Sequence, residues 1–512
     1  MKPLRMRSIL VDVVLVAAWA ASTGMVVLHE RGAFWGVGVN PMTLLRAPDE
    51  VNEQWFGLYY QGQQIGYTHT MLLPEERRGV PGLSVIDRGR LSFTLLGMPQ
   101  QMELSARAFI DADWRLQQFQ AELHTPSYRL RWSGERKGES LVMTVETGEG
   151  RYVNTLRDAG GALVVGLSPW MAFRQLQVGQ WGRVWLLNPL ALSPEEVYFH
   201  VRAREPVDGQ EALVIETDVR GMKITSWVTP EGKVLREQSP LGWELVQESQ
   251  DQALARTPST PTLDLLSATS VSIDRAFEDP LRLARLVWLV HGLAADDLSI
   301  DRPWQRVLTR EALSRSGQGP PAGDGCLLEL RRPVLPAAAE VPATVRSYEQ
   351  PSLFVQSNDP RIQAMARTII GDTVDPWQQA VALERWVYQS LVKRLTVGLP
   401  SAVDVLASRS GDCHEHTILF TALARSIGLP TRMVAGLVYY GGRLYYHAWP
   451  EVWVGDWMPT DPTLGQPVAD ATHLGLVEAE NEQLVSLGQF VGQLRVDVLE
   501  VEEVSAEQGS SP

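Results

Sequence analysis

The chain has 512 residues, of which 45% are hydrophobic and 21% are charged, and its formal net charge is −14. This length exceeds one ordinary domain, and the composition is that of a folded globular protein. The negative charge disfavours nonspecific nucleic-acid binding, because the protein would repel backbone phosphates. The two cysteines, Cys326 and Cys413, cannot form a disulfide scaffold at this length, and the absence of a CxxC pair disfavours structural zinc.

The N-terminal segment predicts export. Basic residues precede an apolar run over residues 9–28, which is close to the ~20 residues that cross a bilayer. This charge pattern predicts a cytoplasmic N-terminus and an exported remainder of the chain. A cleaved signal peptide is the alternative, because Ala18-Trp19-Ala20 has a small-x-small pattern. Since the apolar run continues past that site, we predict that residues 1–30 form a cytoplasmic tip and an uncleaved transmembrane anchor.

Residues 31–255 are predicted to form a mainly-β exported domain. Short alternating or β-branched runs, such as 127–132 and 212–217, are separated by turn dipeptides such as Asp208-Gly209. Because long amphipathic helices are scarce, the pattern predicts a large antiparallel sheet or an open barrel. The 17 tryptophans are interpreted as filling a β core rather than binding carbohydrate or lipid.

Residues 256–345 are predicted to be a connecting region. The segment 283–293 is apolar enough to be a buried strand or a short helix, and its periodicity does not decide between them. Residues 314–342 are rich in glycine, proline and alanine, as in a linker. Cys326 lies there and is interpreted as an ordinary small apolar residue.

Helices are predicted at the start of the next domain, residues 346–500. Asp359-Pro360 and Asp375-Pro376 each combine an aspartate cap with proline at the first helical position. The second helix has an apolar stripe at helical spacing, interpreted as core packing. The stripe consists of Trp377, Ala380, Leu383, Val387 and Leu391. The acidic end of the chain, 501–512, is predicted to be a disordered tail.

A further helix, over residues 412–427, has both of its ends marked. Asp412 can cap the first turn, and Glu415 completes a capping box. Gly428 and a nearby proline end the helix. Cys413 is therefore predicted at the first helical position, where the helix dipole favours a thiolate and lowers the pKa of the thiol.

Two strands, 431–440 and 443–454, are predicted after this helix, with Gly441-Gly442 as the tight turn between them. A third strand is predicted over 457–461. Alternation places one set of side chains on a single face of the second strand. This set is Tyr445, His447, Trp449 and Glu451.

The register of the third strand decides whether Asp461 reaches His447. With Gly455-Asp456 as a two-residue turn, Asp461 lies opposite Pro450, on the wrong face. A three-residue loop that includes Val454, or one bulge near a flanking proline, brings Asp461 diagonal to His447 and within side-chain reach. We predict such an irregularity.

Cys413, His447 and Asp461 have the residue types of a catalytic triad. The cysteine would attack an acyl carbon, the histidine would take the thiol proton and protonate the leaving amine, and the aspartate would orient the imidazole. The backbone N–H of Cys413 is predicted to supply part of the oxyanion hole.

These motifs together resemble the bacterial transglutaminase-like superfamily. The resemblance rests on Gly411-Asp412-Cys413, the segment 428–436, His447-Ala448-Trp449 and Asp461-Pro462-Thr463, and it covers roughly residues 346–475. It implies a papain-like α+β core with Cys413 as nucleophile, His447 as base and Asp461 as the third member. A softer similarity, in segments 57–67 and 470–473, is to an exported subgroup with an extra β domain. No calcium-loop pattern is present, so calcium dependence is not implied.

A metal site is the competing interpretation of the histidines near the cysteine. His414 and His416 could bind zinc together with Cys413 and His447. They flank Glu415 on the first helical turn, however, and therefore point in different directions. We predict no metal and no cofactor.

Three other side chains have predicted positions near this site. His414 and Trp449 are predicted to line the substrate cleft, and His473 is interpreted as a structural histidine close by.

Two functions remain open from the sequence. The first is a membrane-anchored thiol enzyme that hydrolyses amides in an exported protein or peptide, such as a cell-envelope substrate, or transfers the acyl group to an amine. The second is a noncatalytic binding or scaffold module of the envelope. The complete set of Cys413, His447 and Asp461 favours the enzyme.

Overall fold

The computed structural model describes most of the chain after residue 36. The described residues are 37–40, 43–46, 49–95, 98–126, 128–157, 163–164, 169–188, 193–219, 222–240, 242–256, 263–298, 302–309, 325–394, 400–478 and 487–504. The predicted anchor, residues 1–30, lies outside them. None of the described helices is long and apolar enough to cross a membrane.

One large sheet contains 16 strands of the described part of the chain. These strands are β1 (Val37–Gly38), β2 (Asn52–Tyr60), β3 (Gln63–Arg77), β4 (Val80–Leu95), β5 (Met98–Asp111), β6 (Leu116–His124), β7 (Arg129–Lys137), β8 (Ser140–Glu146), β9 (Arg151–Arg157), β10 (Leu163–Val164), β11 (Gln180–Asn188), β12 (Ser193–Val207), β13 (Gln210–Val219), β14 (Met222–Val228), β15 (Val234–Gln238) and β16 (Trp243–Glu248). Their order is β1-β11-β12-β13-β14-β15-β16-β2-β3-β4-β5-β6-β7-β8-β9, with β10 beside β11.

Most neighbouring strands of this sheet are antiparallel hairpin partners, as the turn dipeptides predict. Asp208 and Gly209 have φ angles of 48° and 78° and connect β12 directly to β13. Such positive φ values match the twist of a two-residue hairpin. One apolar core joins Phe56, Leu141 and Phe199, which come from distant strands, so the sheet curves around it. The predicted large antiparallel sheet is confirmed.

A second sheet has five strands and uses the predicted connecting region. They are β17 (Ser272–Ile273), β18 (Leu283–His291), β19 (Gln305–Val307), β20 (Cys326–Arg331) and β27 (Arg495–Glu503), in the order β17-β27-β18-β20-β19. The ambiguous segment 283–293 is therefore mainly a strand. Residues 256–345 differ from the predicted linker because β18 is buried on both faces and shares a core with the following helices.

The same sheet also extends into the predicted tail. Arg285 Nη1 donates to Glu500 and Glu502 at 2.6 and 2.7 Å, and its Nε donates to Glu329 at 2.6 Å. This arginine joins three neighbouring strands, so β27 continues to Glu503 rather than ending at residue 500.

The remaining elements form an α+β unit. This unit contains the third sheet of the chain. Its strands are β23 (Thr431–Tyr440), β24 (Arg443–Trp453), β25 (Trp457–Pro459) and β26 (Leu474–Glu478), in the antiparallel order β25-β24-β23-β26. A short pair joins β21 (Val392–Lys393) to β22 (Ser410–Gly411). The described α-helices of the chain are α1 (Gln250–Arg256), α2 (Leu265–Thr269), α3 (Pro360–Ile370), α4 (Pro376–Ser390), α5 (Ala402–Ser408) and α6 (Cys413–Ser426).

The helix starts follow the cap signals in the sequence. The Asp359 and Asp375 side chains accept backbone N–H groups at the starts of α3 and α4. At the start of α6, Asp412 accepts the N–H of His414, and Glu415 accepts the N–H of Asp412 at 2.8 Å. The predicted caps and the predicted capping box are confirmed.

The large sheet contacts the α+β unit close to these helix starts. Asp404 Oδ1 on α5 accepts hydrogen bonds from the Thr147 hydroxyl at 3.1 Å and from the Glu149 N–H at 2.7 Å. Leu353 packs against the cores of both units. The turn after β8 therefore lies against the helix that precedes α6.

A buried charge cluster fixes the far end of β24. The fully buried carboxylate of Glu451 accepts Arg302 Nε–H at 2.5 Å and Arg432 Nε–H at 2.8 Å. Arg302 and Arg432 are 1% and 6% exposed. These contacts join β23 and β24 to the segment before β19.

We expect Glu451→Ala to lower the free energy of unfolding by about 3–5 kcal/mol, because it leaves two buried guanidinium groups without their shared carboxylate. Urea unfolding followed by tryptophan fluorescence measures this change. Glu211→Ala is the control, since Glu211 and its partner Arg204 have side chains that are 58% and 48% exposed. The control should change stability by less than about 1 kcal/mol, and an equally small effect of Glu451→Ala would contradict the expectation.

Candidate active site

Cys413 is the first residue of α6, as predicted, and it is half-buried. The His447 ring and the backbone N–H of Ala448 both act on its thiol, and each favours the thiolate. One turn further along the helix, the Thr417 hydroxyl donates to the Ala448 carbonyl at 3.0 Å. This hydrogen bond ties the first turns of α6 to β24.

His447 lies on β24 directly across from Gly436 on β23. A Cβ at Gly436 would lie 1.9 Å from the Leu474 carbonyl oxygen, so only glycine fits there. The His447 ring is stacked on Trp449 with centroids 6.1 Å apart, and the residue is 9% exposed. The close approach of three strands therefore holds this imidazole in place.

The predicted irregularity in register is present. Trp453 pairs with Trp457, so β24 and β25 are joined by the three-residue loop 454–456. This loop includes Val454, as one of the predicted alternatives requires. As a result, the His447 Nε2–H donates to Asp461 Oδ2 at 2.8 Å. Since Nε2 faces Asp461, Nδ1 is the ring nitrogen left to face Cys413.

The Asp461 carboxylate is fully buried and accepts four hydrogen bonds. Its Oδ1 accepts the N–H groups of Thr463 and Leu464 at 2.8 and 3.0 Å. Its Oδ2 accepts His447, and also His473 Nε2–H at 3.1 Å. Burial opposes the charged form, but the histidine contacts hold the pKa of Asp461 well below its usual range.

The protonation of His447 follows from this carboxylate. Burial disfavours the charged ring, but Asp461 and the contact with Cys413 raise the pKa of His447 to about 10. At neutral pH the ring is therefore an imidazolium. A cation beside Cys413 favours the thiolate over the thiol.

The Cys413 thiol differs from its prediction. Burial and the Asp412 carboxylate raise the pKa of Cys413, although His447 and the Ala448 N–H oppose the rise. The prediction of a lowered pKa counted only the helix N-terminus and missed these two effects. Burial and Glu415 also raise the pKa of Asp412 to about 8.

The two residues predicted to line the cleft, His414 and Trp449, differ from each other in burial. His414 is half-buried next to Cys413, and burial lowers its pKa, so the ring is neutral. Trp449 is fully buried between His447 and His473, which corrects its predicted place in the cleft wall. Its position on the His447 face of β24 was predicted, but that face is covered rather than open.

The predicted alternative of a zinc site is not what the geometry favours. Among the described residues, one group of three side chains places its potential ligand atoms within 4.8 Å of one another. It consists of His447, Asp461 and His473. That group contains neither Cys413 nor His414. Both Nε2 atoms already donate protons to Asp461, so these atoms form a hydrogen-bond network rather than an open coordination site.

Sequence reasoning missed two features of the site. The Ala448 N–H leaves no signal in a side-chain pattern. Glu384 on α4 is 1% exposed, and among the described residues its Oε1 has no partner. Burial and the charge of Asp461 raise the pKa of Glu384 to about 7. Its spacing, four residues after Ala380 and three before Val387, places it beside the apolar stripe and could have identified it as buried.

Comparison with known proteins identifies the unit that holds these residues. Residues 363–462 match the sequence model of the Transglutaminase-like superfamily, and this range includes Cys413, His447 and Asp461. The uncharacterized protein ML0607 of Mycobacterium leprae (strain TN) is 26% identical over an alignment of 174 residues, and the match covers 32% of this chain. The match spans 56% of the length of that curated relative.

Solved structures with a similar arrangement have low sequence identity to the chain. A candidate cysteine protease from Cytophaga hutchinsonii is 15% identical, with 45% of this chain and 91% of that chain covered and a TM-score of 0.28. The periplasmic domain of TgpA from Pseudomonas aeruginosa bound to ethylmercury is 17% identical, with 38% and 88% covered and a TM-score of 0.26. At these scores the likeness adds nothing to the functional argument.

We expect alkylation of Cys413 by iodoacetamide to accelerate with rising pH, because the thiolate is the reactive form. His447→Ala should slow the reaction at pH 7 by about 10-fold or more, since loss of a neighbouring cation shifts a pKa by about one unit or more. Mass spectrometry of the labelled peptides measures both rates. Cys326 is the internal control, because it is 5% exposed and burial raises its pKa to about 11. Equal rates at Cys413 in the wild type and the variant would contradict the proposed contact.

Proposed function

We propose that this chain, which carries a Transglutaminase-like superfamily domain in residues 363–462, performs thiol-dependent acyl chemistry on amide bonds. One observation carries the proposal. The Cys413 thiol interacts electrostatically with the His447 ring, whose Nε2–H donates to the buried Asp461 carboxylate at 2.8 Å. A nucleophile, a proton carrier and an orienting carboxylate are what an acyl-enzyme mechanism requires.

In the proposed reaction, the Cys413 thiolate attacks the carbonyl carbon of the amide, and a carbon–sulfur bond forms as the oxygen becomes an oxyanion. His447 gives its proton to the leaving nitrogen, and the carbon–nitrogen bond breaks. The attacking water or amine then gives a proton to His447 and takes the acyl group, so that the thiolate leaves. The Cys413 N–H at the start of α6 is the proposed first donor to the oxyanion.

The exposure of the three side chains supports these roles. Cys413 is half-buried, His447 is 9% exposed and Asp461 is fully buried. A substrate can therefore reach the sulfur, while the carboxylate acts only through the imidazole. Because water is excluded from Asp461, its attraction for the His447 proton is stronger than it would be at a surface.

The proposed setting is outside the cytoplasmic membrane, with residues 1–30 as the anchor. Support comes from the basic residues that precede the apolar run 9–28. The proposed substrate is a protein or peptide, with cell-envelope peptides the first class to test. The large β sheet is proposed as a support for the α+β unit, because the turn after β8 contacts α5 just before the Cys413 helix.

A noncatalytic envelope module is the second candidate. Burial raises the pKa of Cys413 above that of a free cysteine. This shift favours a protonated thiol that is unreactive at neutral pH. The enzyme remains the better-supported proposal, because an interaction module has no need for an imidazolium held against a half-buried thiol.

We expect the full-length protein to convert peptide amides in a reaction that Cys413→Ala abolishes and Asp461→Asn slows by about 10⁴-fold. Incubation with a library of peptide amides, with and without a primary amine, followed by mass spectrometry, measures both acid and amine-adduct products. An acid product indicates hydrolysis, which we expect to dominate, and an amine adduct indicates transfer.

Cys326→Ser is the matched control and should retain full activity, because Cys326 lies in the second sheet. Product formation that persists in Cys413→Ala, or the absence of both products in the wild type over the whole library, would overturn the proposal in favour of the noncatalytic module.

A further inference from the structure

His473 lies behind the candidate triad and is fully buried. Its Nε2 is 3.1 Å from Asp461 Oδ2, and its Nδ1 is 3.2 Å from the Asp470 carbonyl oxygen and 3.3 Å from Asp470 Oδ1. Every one of these partners is a carboxylate or carbonyl oxygen, which can only accept a hydrogen bond. Both ring nitrogens must therefore donate, so His473 is a buried imidazolium.

The second carboxylate holds this cation in place. Asp470 Oδ1 accepts the Thr472 N–H at 2.8 Å and the Thr472 hydroxyl at 2.6 Å, and Asp470 Oδ2 accepts the Gln466 amide at 2.9 Å. Burial opposes the charged ring, but Asp470 and Asp461 raise the pKa of His473 to about 10. The contacts and the direction of the pKa shift thus agree on the charge.

Asp461 therefore lies between two cationic rings that share one oxygen. His447 and His473 both donate to Oδ2, at 2.8 and 3.1 Å, while backbone N–H groups occupy Oδ1. The two rings are 6.0 Å apart between centroids, at an interplanar angle of 64°. A carboxylate fixed in this way cannot rotate to follow His447 alone, and its charge is divided between two protons.

We propose that His473 is a positioning residue, which holds the Asp461 carboxylate in line with His447 and limits how strongly Asp461 retains the His447 proton. The proposal rests on the proposed function, since it concerns how the same site transfers its proton. His473 touches no reacting atom and acts through Asp461. Its role goes beyond that of a satisfied structural histidine, because its partner is the carboxylate that orients the candidate base.

The groups around Asp461 that titrate come from several elements. They are His447 on β24, His473 and Asp470 in the segment before β26, Glu384 on α4 and His416 on α6. Of these, His447 and His473 are the two that donate a hydrogen bond to Asp461. Replacing His473 by a neutral residue leaves His447 as the only cation that donates to Asp461. The pKa of His447 should therefore rise.

The test is a double-mutant cycle on Cys413 alkylation in the full-length protein, in a Cys326→Ser background so that only one thiol reacts. Iodoacetamide rates at pH 8 are compared for the wild type, His473→Gln, Asp461→Asn and the double variant. We expect His473→Gln to slow alkylation by about 10-fold, because the released Asp461 carboxylate then follows His447 alone and draws its imidazolium away from the Cys413 sulfur. The double variant should be no slower than Asp461→Asn, within about twofold, because His473 acts through Asp461. Multiplicative losses, or no loss in His473→Gln, would overturn the proposal.

A second readout separates positioning from a loss of folding. In protein with ¹⁵N-labelled histidine rings, we expect the wild-type His447 ring to titrate near pH 10, where about half of the rings would be protonated. In His473→Gln most of them should remain protonated at that pH. A His447 titration that is unchanged or shifted to lower pH would overturn the proposal.

His291→Gln is the matched control, because His291 Nε2 also contacts an aspartate, Asp497, at 2.8 Å but lies in the second sheet. It should leave both the alkylation rate and the His447 titration unchanged. Alkylation does not require amide turnover. A wild type without turnover would therefore contradict the proposed function but not the role of His473. The double-mutant cycle would still decide the role of His473.

Discussion

The buried carboxylate of Asp461 is the constraint on which the candidate site depends. An ionised carboxylate removed from water costs several kcal/mol unless its oxygens accept well-placed hydrogen bonds. The structure supplies four donors, two of them backbone N–H groups and two of them imidazole rings. Because the rings become cations in the process, the solution to the burial of one charge also sets the protonation of His447, which faces the Cys413 thiol.

The surrounding fold is arranged so that these groups meet. A three-residue loop between β24 and β25 sets the register that brings Asp461 to His447. Gly436 allows β26 to approach the strand opposite His447, and Thr417 ties the Cys413 helix to β24. A second buried carboxylate, Glu451, anchors the same strand four residues further along with two arginines. The strand that carries the candidate base is therefore held by buried charges at two positions.

Local signals in the sequence predicted the parts of this site that depend on neighbouring residues. The capping box at Asp412 and the Gly441-Gly442 hairpin follow from short-range rules, and both are present. The irregular loop after β24 was predicted because Asp461 has to reach His447, and it is also present. The direction of the Cys413 pKa shift was wrong, because it depends on burial by residues distant in the chain. The same limit applies to Trp449. The face of the strand on which it lies was predicted, but the burial of that face by other parts of the chain was not. The role of the connecting region was missed because β18 pairs with a strand about 200 residues later in the chain.

Trapping the acyl-enzyme tests this account most directly. The full-length protein is mixed with a peptide aryl ester, quenched in acid after a short delay, and mapped by mass spectrometry. We expect an acyl group on the peptide that contains Cys413, formed about 10³-fold or more slowly in Asp461→Asn. An acyl group that never forms on Cys413, or that forms equally fast in Asp461→Asn, would contradict it.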